Sequence, residues 1–101
     1  MVSKIPKEIR EQLENDPYML SCINENWECR GRIQFHHAFQ YASKQVSELW
    51  SILGLCEYHH KKMTKHTQTL CRMNLRARIA HFKAREEFDR RFPKSDLFTN
   101  N

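Results

Sequence analysis

Seven side chains able to bind a metal or move a proton fall close together in this 101-residue chain. Cys22 and Cys29 lie upstream, His36-His37 and His59-His60 are adjacent pairs, and Cys56 stands three residues before His59. Cys22, Cys29, Cys56 and His59 form a Cys3His set, one of the ligand combinations that closes a tetrahedral structural zinc site. Cys56-x2-His59 is the compact half, with both ligands on one side of a first helical turn. Cys22 and Cys29, with six residues between them, need a loop that folds back on itself. Taken alone, that pair reads equally well as two packed free thiols. His60 also competes with His59 for the fourth position.

Giving His59 to zinc leaves His36, His37 and His60, the inventory of an active site rather than of a structural staple. On a helix, His60 points about 100° further round than His59 and can meet His36 arriving from a strand. Two neutral imidazoles, with water and phosphate oxygens completing the shell, make an open catalytic site for a divalent ion. His37, on the other face of that strand, is suited to accept a proton from water near neutral pH. The ion would stabilise negative charge growing on a phosphate ester under attack, and Lys61, Lys62 and Lys65 stand ready for flanking phosphates. His66 and His81 read as ordinary surface histidines. Cys71 lies outside the ligand spacing and reads as a packing residue.

These side chains need elements to carry them. Residues 4–15 read as a helix with Ser3 as cap, Pro6 in the first turn and Ile5, Ile9 and Leu13 on one face. Asp16-Pro17 stops it, because the residue before proline is pushed out of the helical region. Gly31 to Phe35 alternates apolar and polar residues and predicts a short strand delivering His36 and His37 to opposite faces. Residues 38–55 read as a loop with a short helical turn, then a second strand around Trp50 to Leu53, with Gly54 allowing a bend before Cys56. A helix starting near Cys56, broken around Thr64 to Thr69, completes a ββα unit. Residues 69–92 predict one amphipathic helix, with Leu75, Ile79 and Phe82 inward and Arg72, Arg76, Lys83 and Arg90 toward solvent. Pro93 ends it, and the last eight residues read as frayed.

Composition narrows the class. A chain of this length is one domain, residues 1–101, with little core to spare, so thiols without a secretory segment point to a metal rather than to disulfides. No run reaches the length of a membrane span, and the expectation is a soluble, cytosolic protein. The net charge of +5 divides unevenly, −2 over residues 1–57 and +7 over residues 58–101. A basic C-terminal half beside a metal site suggests a polyanion partner, most simply nucleic acid.

The arrangement His36-His37 … Cys56-x2-His59-His60-x-Lys62 resembles the HNH (His-Me finger, ββα-metal) endonucleases, in their zinc-stapled subgroup of small phage and prophage proteins. The resemblance covers residues 22–65. It implies an α+β fold, a ββα-metal finger with a structural zinc site and flanking N- and C-terminal helices. It also implies His36 and His60 as ligands of a catalytic Mg2+, Mn2+ or Ni2+ ion, His37 as general base, and Cys22, Cys29, Cys56 and His59 as the zinc ligands. His59 stands where the family usually has cysteine. The family's middle Asn, which orients the base, falls on Ser51, whose hydroxyl would take over part of that work, or Gln45 or Glu48 would substitute from the loop.

The resulting expectation is a metal-dependent endonuclease. The resemblance implies that it cuts DNA to 5′-phosphate and 3′-hydroxyl ends, in the host bacterial cytoplasm if the chain is phage-encoded. Two other readings stand beside it. A non-catalytic zinc-stabilised module binding DNA or protein needs only the Cys3His set, and a toxin or defence nuclease acting on RNA would use the same active-site residues. Double-strand cleavage by a single site would favour a dimer or two sequential nicks, so the oligomeric state stays open.

Overall fold

The run Ile52-Leu53-Gly54-Leu55-Cys56 offers water no charged or amide side chain, and it forms a strand buried at every position. In the computed structural model, which describes residues 5–99, this strand is the fourth of the chain. The order is α1 (Lys7–Glu14), a 3-10 turn (Pro17–Leu20), β1 (Ile33–His37), β2 (Gln40–Tyr41), β3 (Lys44–Gln45), β4 (Ile52–Cys56), α2 (Glu57–Lys61), α3 (Lys65–His81) and α4 (Arg85–Arg91). The result is a small compact α+β protein. No helix among the described residues is long and apolar enough to cross a membrane.

β1 pairs antiparallel with β4, placing His36 opposite Leu53 and His37 opposite Ile52. Since side chains alternate across a strand, Gln34 and His36 share a face with Leu53 and Leu55, while Phe35 and His37 share the other with Ile52. The strand β4 contributes to two apolar clusters. Leu53 and Leu55 join the larger one with Trp50, Leu75, Ile79, Phe88 and Phe92, and Ile52 joins Leu13 and Met19 in the smaller. Gly54 is needed for close approach rather than for a bend. A Cβ there would lie 3.2 Å from the Ser21 carbonyl oxygen, and Ile23 donates its amide to the Gly54 carbonyl at 2.9 Å. The second strand therefore begins later than expected, and Trp50 sits before it as a core aromatic.

Residues 38–51 hold a two-stranded hairpin, β2 with β3, in place of the expected helical turn. Its two-residue turn needs positive φ at both central positions, met here by Ala42 (51°) and Ser43 (66°). Phe39 and Trp50 anchor the loop by packing edge-on or tilted against Phe88 and Phe92, with ring centroids 5.0 to 6.0 Å apart.

The expected C-terminal helix is two helices. Thr64 caps α3 by accepting the Thr67 amide. At the other end Lys83 turns left-handed (φ 53°), with the Ala84 amide on the Ile79 carbonyl and the Lys83 amide on the Ala80 carbonyl. This is a Schellman closure with lysine in glycine's usual place, and it turns α4 back so that Phe88 meets the aromatic cluster. Arg72 and Arg76 do not simply face solvent. Arg72 pairs with Asp96 at 3.4 Å and Arg76 donates to the Leu97 carbonyl at 2.5 Å. Leu97 is buried, so residues 94–99 are held against α3 rather than frayed. Arg78, 5 % exposed, donates to Asp16 at 3.1 Å and to the Leu49 carbonyl, joining the end of α1 to α3. The helix α1 is shorter than residues 4–15, and the proposed Ser3 cap lies outside the described residues.

Candidate metal centre and candidate active site

The Cys22–Cys29 loop is folded by its own polar groups. Asn26 accepts the Glu28 amide on its side chain at 2.8 Å and the Cys29 amide on its carbonyl at 3.1 Å. Arg30 donates to the carbonyls of Trp27 and Cys29. Buried Asn24 donates to Thr67 Oγ1 at 2.9 Å, fixing the loop to the first turn of α3. Gly31 (φ 81°) follows where any Cβ would collide with the Glu57 carboxylate, 2.5 Å away. Cys56 ends β4 and caps α2, its sulfur accepting the His59 amide at 3.4 Å.

These constraints bring Cys22, Cys29, Cys56 and His59 together, with all four ligand atoms within 4.8 Å of one another. His59 Nδ1 lies 3.6 Å from Cys22 Sγ, 3.6 Å from Cys29 Sγ and 3.3 Å from Cys56 Sγ. A tetrahedral zinc with ordinary Zn–S and Zn–N bonds would set each S···N separation at about 3.6 Å, so the donor set fits a metal such as zinc. His59 takes the fourth position and His60 points elsewhere. The cluster is electrically uneven before any ion enters. Burial raises the Cys56 thiol, but the amides of His59 and Arg30 and the neighbouring His59 ring outweigh it and bring the group down to about 6. Burial pushes Cys22 up to about 11. His59 Nε2 is buried without a hydrogen-bond partner among the described residues, so the ring's only polar engagement is on the metal-facing side.

The second group forms where β1 meets α2. The His36 and His60 rings stand edge to face, centroids 5.0 Å apart. His60 Nδ1 lies 2.6 Å from Gln34 Oε1. Nδ1 is therefore the protonated nitrogen, donating to the amide oxygen, and the Nε2 lone pair is left for a ligand. Burial, then the neighbouring His60 and His37, hold the His36 imidazole down to about 4, so it is neutral at physiological pH. His37 points to the opposite face, its Nε2 3.0 Å from Ser47 Oγ, and burial lowers it below the ordinary histidine value.

Ser51 does not reach His37. It is fully buried, its hydroxyl accepts the Glu48 amide at 2.9 Å, and its single proton is directed at the carbonyls of Val46 (2.7 Å) and Glu48 (3.0 Å). The reason is register. Ser51 precedes β4 directly beneath the loop, and its own carbonyl accepts the Ala38 amide at 3.0 Å. Glu48 is taken by Arg91 at 2.5 Å. The side chain beside the candidate base is Ser47, held in place by the turn that Ser51 staples. No local sequence signal marks Ser47. Gln34 does carry one, since it lies two residues before His36 on the same strand face.

Lys61, Lys62 and Lys65 are exposed, with Lys62 Nζ 6.0 Å from the Tyr58 ring centroid. Lys65 and His36 both line a cleft of about 1030 Å³ between α3, the β2–β3 hairpin and residues 94–97. Cys71 is a buried packing thiol, pushed up to about 11 by burial. Comparison with protein-family models, curated proteins and solved structures finds no match to this chain.

Proposed function

We propose that the chain is a metal-dependent endonuclease of the HNH, ββα-metal plan, hydrolysing a DNA phosphodiester by water attack. One observation carries this reading. A strand and a helix bring His36 and His60 to 5.0 Å with His37 on the next strand position, beside a Cys3His cluster that needs none of the three. A zinc-stabilised binding module would have no use for that second group.

In this reading His36 and His60 hold the catalytic ion through neutral imidazole nitrogens, His60 through Nε2 because Gln34 occupies Nδ1. A divalent ion there supplies charge stabilisation for the scissile phosphate. In the tautomer this role requires, His37 donates Nε2–H to Ser47 Oγ, 3.0 Å away, and its Nδ1 lone pair takes the proton from the attacking water. Gln34 and Ser47 act as positioning residues. Lys61, Lys62 and Lys65 supply positive charge around the site for a polyanion, consistent with the +7 charge of residues 58–101.

The test is conversion of supercoiled plasmid to the nicked form with Mg2+, Mn2+ or Ni2+, beside His37→Ala. Ion-dependent nicking that disappears in the variant is the expected result. A wild-type protein that binds plasmid but never nicks it would leave the zinc-stapled binding module as the better account.

A further inference from the structure

The cleft beside His36 has a composition that phosphate binding alone does not call for. Its floor is apolar, built from Ala38, Phe39, Met63 and Leu75, and its rim carries Lys65 from α3 and Lys94 from the C-terminal segment. Both lysines are exposed, while the third cation of the cleft, Arg72, is already paired with Asp96. The walls are joined, since the Lys94 amide donates to the Tyr41 hydroxyl at 3.4 Å and the Tyr41 ring packs on Phe92. A duplex keeps its base faces stacked inside and offers a protein phosphates and groove edges. An apolar floor gives it nothing. An unpaired strand offers both a charged backbone for the lysines and base faces for the floor, the pairing that single-strand sites use.

We infer that this cleft takes an unpaired DNA strand leading away from the phosphate held at His36, so that the preferred substrate is a flap, an overhang or a melted tract rather than intact duplex. The inference rests on the nuclease reading for the identity of the bond at the His36 end. The strand preference itself is a matter of binding.

It is tested by fluorescence anisotropy on the zinc-loaded protein without added divalent ion, so that nothing is cut. The probes are a labelled single strand, the blunt duplex of the same sequence, and that duplex with an overhang. The unpaired strand and the overhang should bind about tenfold tighter than the blunt duplex, the size expected for one or two bases stacked on a protein surface. Thr69→Trp, which fills the cleft from an exposed position of α3, and Lys94→Glu should each remove most of that preference, with zinc content and thermal melt unchanged. If Thr69→Trp does not fold, Lys94→Glu on the exposed segment carries the comparison. Equal binding of all three probes, or a preference that survives both variants, overturns the inference. A clear strand preference in a protein that, once Mg2+ or Mn2+ is added, cuts neither plasmid nor the single-strand and overhang probes would sink the nuclease reading alone. Nicking without a strand preference would sink the cleft alone.

Discussion

His59 and His60 are neighbours on one turn of α2 and face different groups of side chains. His59 is 3 % exposed and faces three sulfurs. Its cluster is closed, with every donor turned inward and no position left for a substrate. His60 is only half-buried, its ring meets one other imidazole, and its second nitrogen is tied to a glutamine rather than to another ligand. The first arrangement can hold an ion but offers it nothing to act on. In the nuclease reading the second leaves coordination positions open, with His37 at the next position of β1 and on its other face. One helical step of about 100° is enough to separate the two groups, because it turns one side chain toward the Cys22–Cys29 loop and the next toward β1.

That contrast is broken most severely by removing a cluster ligand. A structural zinc contributes about 10 kcal/mol or more of folding free energy in small domains, comparable to the whole stability of a protein this size. Cys56→Ser should therefore abolish the cooperative melt in circular dichroism along with bound zinc. His36→Ala, in the open group, should leave both in place.

His37→Ala comes next. It should slow nicking by about 10²- to 10⁴-fold, the usual contribution of a general base, with zinc content and melting temperature unchanged. A protein that lost its fold along with its activity would mean that the open group is structural after all.

Gln34→Ala should raise the divalent-ion concentration needed for half-maximal nicking by about 10- to 100-fold, as the loss of a partner behind a metal-binding histidine does. Gln34→Glu, which keeps the acceptor, should restore most of it. Metal titration of the nicking rate makes that measurement, and an unchanged titration in Gln34→Ala would remove Gln34 from the site.

Ser51→Ala has a smaller and different effect, because it strips the Glu48 amide and the Val46 carbonyl of their buried partner. It should destabilise the fold by about 1–3 kcal/mol, whereas Ser47→Ala should leave the melt in place and lower only the nicking rate. Equal melts in the two variants would contradict the division between loop staple and base partner.

The smallest effect lies away from both groups. Burial pushes Tyr18 up to about 12, against the lowering pull of Arg78. The unfolded chain loses this proton near pH 10 and the folded one near 12, so the contribution is intact below pH 10 and is lost as pH rises toward 12. Tyrosinate absorbance should show one of the three tyrosines titrating late, coincident with alkaline unfolding.

The parts of this molecule that were legible in the sequence are those written as spacing. Cys56-x2-His59 with two upstream cysteines specified the cluster. Strand alternation placed His36 and His37 on opposite faces, and the helical angle separated His60 from His59. What escaped was written in tertiary contacts or in unusual backbone. The β2–β3 turn uses Ala42 and Ser43, and the break after α3 uses Lys83, all at positive φ and none of them a residue type that announces it. Asp16 and Leu49, remote in sequence, make Arg78 an internal cation, although composition places arginine at the surface. Ser51 matches the position where the resembled family carries its middle Asn, yet its partners come from the loop above it, and Ser47 meets His37 only because that loop is folded.

The most direct test of the two-site account is a chelator titration of the active, zinc-loaded protein, following nicking, zinc content and circular dichroism on the same samples. If the two groups are separate sites, nicking is lost first, at chelator concentrations that leave zinc bound and the fold intact, and added Mg2+ or Mn2+ restores it. Nicking, zinc and fold disappearing together, with no restoration by a second ion, would contradict it and reduce the two groups to one.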